Sequence, residues 1–143
     1  MSQTQRALDR LKRVQLDLDS VQSSLDWQIA NGSLTGSLLH NAKEARASSE
    51  VTYLLKLFAE FENGMTLIGP ELLPPISSSV TDGFGTKLER IGSQVSLPSA
   101  IRSKVDADLR AFRNELMHGR SLIPRVGFDE SLDLMKAFLR WCP

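Results

Sequence analysis

Near the N-terminus the apolar residues Ala7, Leu11, Val14, Leu18, Val21 and Leu25 recur at intervals of four and three, with Asp, Arg, Lys and Gln between them. That is the period of a helix carrying one apolar stripe, so the spacing predicts an amphipathic helix from Ser2 to about Ile29. Ser2 and Gln5 have capping-box spacing, and Asn31-Gly32 offers a stop where a left-handed residue is tolerated. The heptad-like stripe also fits a coiled coil, but in a chain of 143 residues a bundle helix is the better match. A second helix is predicted from Ser37 to Glu62, its core face formed by Ala47, Val51, Leu54, Phe58 and Phe61, with Gly64 weakening it.

Between Gly64 and Leu97 stand five glycines (64, 69, 83, 85, 92), three prolines (70, 74, 75) and a serine run at 77–79. Such punctuation reads as a long, partly mobile insertion against the bundle. The spacing of Phe84, Leu88, Ile91 and Val95 predicts one short helix within it. A third helix starts at Pro98-Ser99, with Ser99 as cap and Pro98 in the first turn, and ends at Gly119. Ile101, Val105, Leu109, Phe112 and Leu116 form its stripe. After the loop SLIPRVGF, Asp129 caps a last helix that turns Leu132, Met135, Phe138 and Leu139 inward. No strand pattern competes, so the expected fold is all-α: an up-down four-helix bundle in one domain, 1–143, with an insertion at about 64–97.

Lys plus Arg and Asp plus Glu each number 17, and a pI near 6.7 argues against an indiscriminate polyanion binder. A single cysteine, Cys142, allows no internal disulfide, and one Cys with two His, His40 and His118, is too few for the common structural zinc patterns. The expectation is therefore no metal and no cofactor. MSQTQRALDR lacks the apolar core of a signal peptide and no run of about 18 apolar residues occurs, which points to the cytoplasm and away from membranes.

Charge is nevertheless uneven. Pro98 to Arg125 carries six basic residues against three acidic, while residues 1–63 carry seven against eight. Within the basic region, Arg113-Asn114-Glu115-Leu116-Met117-His118-Gly119 ends the third helix. Arg113 and His118 lie about 140° apart around the axis and about 7.5 Å along it, so both side chains can reach a cleft beside the last turn. His118 stands there among unpaired carbonyls at the negative end of the helix dipole, a setting that suits a proton-exchanging group. The same residues also suit a structural ending in which Arg and His complement the dipole and Gly119 stops the helix.

Arg113-Asn114-x-x-x-His118 resembles the Arg-polar-x-His signature of the HEPN superfamily, which likewise ends the third helix of a four-helix domain. The resemblance covers most of the chain in architecture and residues 113–119 in specific side chains. It implies a homodimer whose two motifs meet in one cleft, and for many members metal-independent endoribonuclease activity. In that reading Arg113 binds and stabilises the scissile phosphate, Asn114 orients, and His118 is general acid or base, giving a 2′,3′-cyclic phosphate. Arg110 and Arg120 would steer RNA. The implied role is that of a toxin or phage-defence effector, with an antitoxin or regulatory protein as a further partner. One family branch carries a tyrosine two residues after the histidine; here Arg120 stands there, and Tyr53 is the only tyrosine. The alternative is a non-catalytic HEPN-like module that binds RNA, a nucleotide or a protein; a third possibility is a helical adaptor using the first helix. Glu44, Glu50 and Glu62 could face the cleft as acids or orienting groups but read better as solvated helix residues; His40 reads as a surface or capping residue, and Cys142 as a packed small hydrophobe.

Overall fold

A computed structural model describes residues 1–72, 74–76, 83–118 and 127–143, and every regular element among them is helical. Helix α1 spans Gln3–Ala30, α2 spans Gly36–Ile68, and a 3-10 turn, Gly69–Glu71, extends α2. Helix α3 is Phe84–Gln94. Ser99–Lys104, Val105–Arg110 and Ala111–Met117 follow without a break, α-helical, π-helical and α-helical in turn; this run is α4. Helix α5 is Phe128–Leu139.

Helices α1 and α2 form an antiparallel pair. Gly64 sits against Ala7, Gln22 Nε2 donates to Ser49 Oγ at 3.2 Å, and Arg46 Nε meets Asp26 Oδ1 at 2.8 Å, so the register holds from end to end. Ser2 caps α1 as its spacing predicts, accepting from the Gln5 backbone N–H, and Gly32 takes φ +73° after the Asn31 C-cap. The rest of the molecule covers only one half of this pair. Ala7, Leu11, Val14 and Leu18 are buried, whereas Val21 and Leu25 are half-buried and Trp27 is 68% exposed. On α2, Ala47 is exposed and Val51 half-buried, a correction to the expected stripe: the residues of this helix that join the main hydrophobic core begin at Leu54.

Helix α2 also runs past its expected end at Glu62. Gly64 lies inside it, where a Cβ would come 2.8 Å from the Cβ of Ala7. The glycine permits close approach of two helices rather than ending one. Gly64→Ala is expected to destabilise by about 1–2 kcal/mol, the overpacking cost less the gain in helix propensity. Urea unfolding would measure it, and adding Ala7→Gly should recover most of the loss; no loss would mean the helices stand further apart.

The core is organised by aromatic rings. Phe112, Phe58, Phe84, Phe61 and Phe138 form a continuous edge-to-face chain, with successive centroids 6.0, 5.8, 6.0 and 5.6 Å apart. It ties α2, α3, α4 and α5 into one cluster with Ala7, Leu11, Val14 and Leu18 of α1. The short helix expected from Phe84, Leu88 and Ile91 is present, and the insertion is thus partly helical. Residues 73 and 77–82, with the serine run and its expected mobility, lie outside the described residues.

Two helix starts differ from expectation. Pro98 rather than Ser99 occupies the N-cap of α4, without a side-chain cap. Gly127 rather than Asp129 precedes α5; the first N–H of that helix, from Phe128, donates to Glu50 Oε1 of α2 at 2.9 Å, so Glu50 is a tertiary cap and not a solvated residue. Helix α4 ends at Met117 with His118 as C-cap, and Gly119, its expected stop, lies outside the described residues. The π-helical segment in α4 was not legible in its spacing. It accommodates about one extra residue, about 100° of rotation; Val105, Leu109 and Phe112 are buried, and Ile101 and Leu116 at the two ends are half-buried.

Cys142 is buried, as expected of a packed thiol, and its Sγ lies 3.9 Å from the Phe138 carbonyl oxygen. Burial pushes this thiol from 9.0 up to about 11. Because the folded state holds the proton more tightly, this contribution to stability is full below pH 9 and is lost as pH rises from 9 through about 11. Between pH 8 and 10.5 the native protein should lose about 2 kcal/mol more than Cys142→Ala in parallel denaturant titrations. Equal losses would show that the thiol ionises freely.

Candidate functional site

The motif residues occupy the last turns of α4, where Phe112 packs edge-on against Phe58 and fixes the helix against α2. That contact turns the next residue, Arg113, toward the junction of α2 and α3. Its NH2 group lies 3.5 Å from Glu62 Oε2, and its guanidinium carbon stands 5.3 Å from the centroid of the Phe84 ring. The guanidinium is therefore held on one edge by a carboxylate and on one face by an aromatic ring, and 24% of the side chain remains exposed.

Glu62 is shared. Its Oε1 lies 3.4 Å from Lys87 Nζ of α3, and Lys87 is 2% exposed. A lysine so deeply placed requires a partner, because an unpaired buried ammonium carries a large desolvation penalty. Glu62, expected to be solvated, is instead the hinge between two cations.

Arg110 lies across the first turn of α3. A Cβ at Gly85 would come 2.6 Å from Arg110 Nε and 2.8 Å from its Cζ, so a larger residue there would make this flexible side chain shift. Among the described residues, Lys87, Arg110 and Arg113 thus meet α3 near its start, around the Glu62 carboxylate. Arg110 also borders a small cavity of about 150 Å³ with Arg102, Asp106 and Phe138. Arg102 itself donates to the Gly92 carbonyl at 3.1 Å and closes the end of α3.

Asn114 and His118 are exposed. The His118 backbone N–H donates to the Asn114 carbonyl at 3.1 Å, and Met117 beside it is 58% exposed. No hydrogen bond joins Arg113 to His118: Arg113 is drawn to Glu62, while His118 is exposed. Arg120 lies outside the described residues. A larger cavity, about 540 Å³, lies on α1 and α2 among Arg10, Arg13, Asp17, Lys56 and Glu60, and no motif residue lines it.

Lys87, Phe84 and Gly85 are the participants that motif reading missed. A signal existed for Lys87: it falls between Phe84 and Leu88 on the buried face of α3, where an apolar residue belongs. Among the described residues no group of three His, Cys, Asp or Glu side chains is placed to hold a metal ion, and no helix is long and apolar enough to cross a membrane. His40 and Glu44 are exposed. Comparison with family models, with curated proteins and with solved structures returns no match.

Proposed function

We propose that this all-α chain is a metal-independent endoribonuclease of the HEPN type, a four-helix bundle with an inserted helix, acting as a homodimer through Arg113, Asn114 and His118. The observation that carries the reading is the pairing of a clamped Arg113, still partly open to solvent, with an exposed His118 at the end of the same helix.

The residues suffice for transesterification. His118 takes the proton of a ribose 2′-hydroxyl, the 2′-oxygen attacks the adjacent phosphorus, and the bond from phosphorus to the 5′-oxygen breaks. The leaving 5′-oxygen receives a proton from the partner subunit's His118, which gives a 2′,3′-cyclic phosphate and a 5′-hydroxyl. Arg113 stabilises the charge that develops on the phosphate oxygens, and Asn114 hydrogen-bonds the phosphate or orients a neighbour. Arg110 and Arg120 steer the RNA. A nuclease of this kind acts as a toxin or phage-defence effector, restrained by an antitoxin or a regulatory protein.

A second reading is a non-catalytic module that binds RNA, a nucleotide or a protein. It is favoured by the engagement of Arg113 with Glu62, which suits a phosphate-holding or structural arginine and asks nothing of His118. Incubating the purified protein with a mixed RNA pool in EDTA separates the two. Fragments ending in 2′,3′-cyclic phosphate are expected. Intact RNA that is nevertheless bound supports the module, and RNA neither cut nor bound overturns the nuclease and RNA-binding readings together.

A further inference from the structure

We propose, resting on the nuclease reading, that Lys87 is a positioning residue: by sharing the Glu62 carboxylate it lets Glu62 aim the Arg113 guanidinium without cancelling its charge. Each oxygen of Glu62 faces one cation, Oε1 toward Lys87 at 3.4 Å and Oε2 toward Arg113 at 3.5 Å. One negative charge is divided between two positive ones, so the set keeps a net positive charge. Its outlet is Arg113, since Lys87 is 2% exposed while 24% of the Arg113 side chain faces solvent. With an apolar residue at position 87, Glu62 and Arg113 would form a neutral pair, and an incoming phosphate would have to compete with the carboxylate.

Packing alone does not account for the lysine. Position 87 lies on the face of α3 that buries Phe84, Leu88 and Ile91, and an apolar side chain there would avoid the desolvation that an ammonium incurs. The remaining face of the guanidinium is set by the Phe84 ring at 5.3 Å. Direction therefore comes from Glu62 and Phe84, and the retained charge from Lys87.

Lys87→Met, Glu62→Gln and the double variant test this, with helicity checked by circular dichroism. Two readouts are used: anisotropy of a labelled 2′-O-methyl RNA, which cannot be cleaved, and the rate at which phenylglyoxal modifies Arg113, followed by mass spectrometry. Lys87→Met should weaken RNA binding about tenfold, the scale of one charge-assisted contact, and slow Arg113 modification. Glu62→Gln should speed that modification. The double variant should recover both the affinity and the rate lost in Lys87→Met, a rescue that a merely structural lysine would not give. The proposal is overturned if folded Lys87→Met matches the native protein in both readouts, or if the double variant is no better. Should Lys87→Met fail to fold, unchanged Arg113 modification in Glu62→Gln overturns it. A native protein that binds no RNA, but whose Arg113 modification follows this pattern, removes the nuclease reading and leaves Lys87 as the residue that sets Arg113.

Discussion

His118→Ala is expected to reduce RNA cleavage by ~10²–10⁴-fold, the range that positioned proton transfer supplies, while the helical content and melting temperature stay close to native. The second half of that expectation follows from the structure. His118 is exposed, and the hydrogen bond it makes to Asn114 comes from its backbone, which alanine retains. The clamp on Arg113 is built from Glu62 and Phe84, neither of which touches His118, so RNA should still bind. Cleavage by the variant at the native rate would remove His118 from the mechanism. Loss of helicity would instead make it a structural ending for α4.

The largest stability effect is expected at Phe61. Its side chain has 0% exposure and stands edge-to-face with Phe84 of α3 and Phe138 of α5, centroids 6.0 and 5.6 Å away. Phe61→Ala removes a link in the aromatic chain that joins four helices, and should cost about 3–5 kcal/mol. That is a large share of the 5–15 kcal/mol typical of a folded domain. The same substitution loosens Phe84, on which the Arg113 guanidinium rests, so RNA affinity should fall as well. An unfolding free energy, from urea titration, within about 1 kcal/mol of native would mean that the neighbouring rings collapse into the space.

How far the sequence foretold this molecule depended on the range of the interactions involved. Helices α1 and α3, and the buried run Leu54, Phe58 and Phe61 of α2, follow from spacing alone, because an apolar stripe is a local property of the chain. The features misread are those whose cause lies far along it. Gly64 looks like a helix stop until Ala7 is found against it. Glu50 looks solvated until the first N–H of α5, 78 residues on, is seen to need it. At the site the pattern singled out Arg113, Asn114 and His118 but not their supports. Arg113 is set by Glu62, 51 residues away, and by a lysine that spacing would have counted as an error in the stripe of α3.

The π-helical stretch of α4 bears on how a chain like this tolerates changes in length. Val105–Arg110 holds about one residue more than α-helical winding would use over the same rise. A deletion of one residue inside it can be absorbed by rewinding to α-helix, with Ser99–Lys104 and Ala111–Met117 left on the faces they now present. The same deletion at Phe112, past the last π-type bond from the Ala111 N–H to the Asp106 carbonyl, would turn Arg113 by about 100° and carry it away from Glu62. Related chains that keep the site should therefore gain or lose single residues in this helix within 105–110, and hold the count fixed from there to His118.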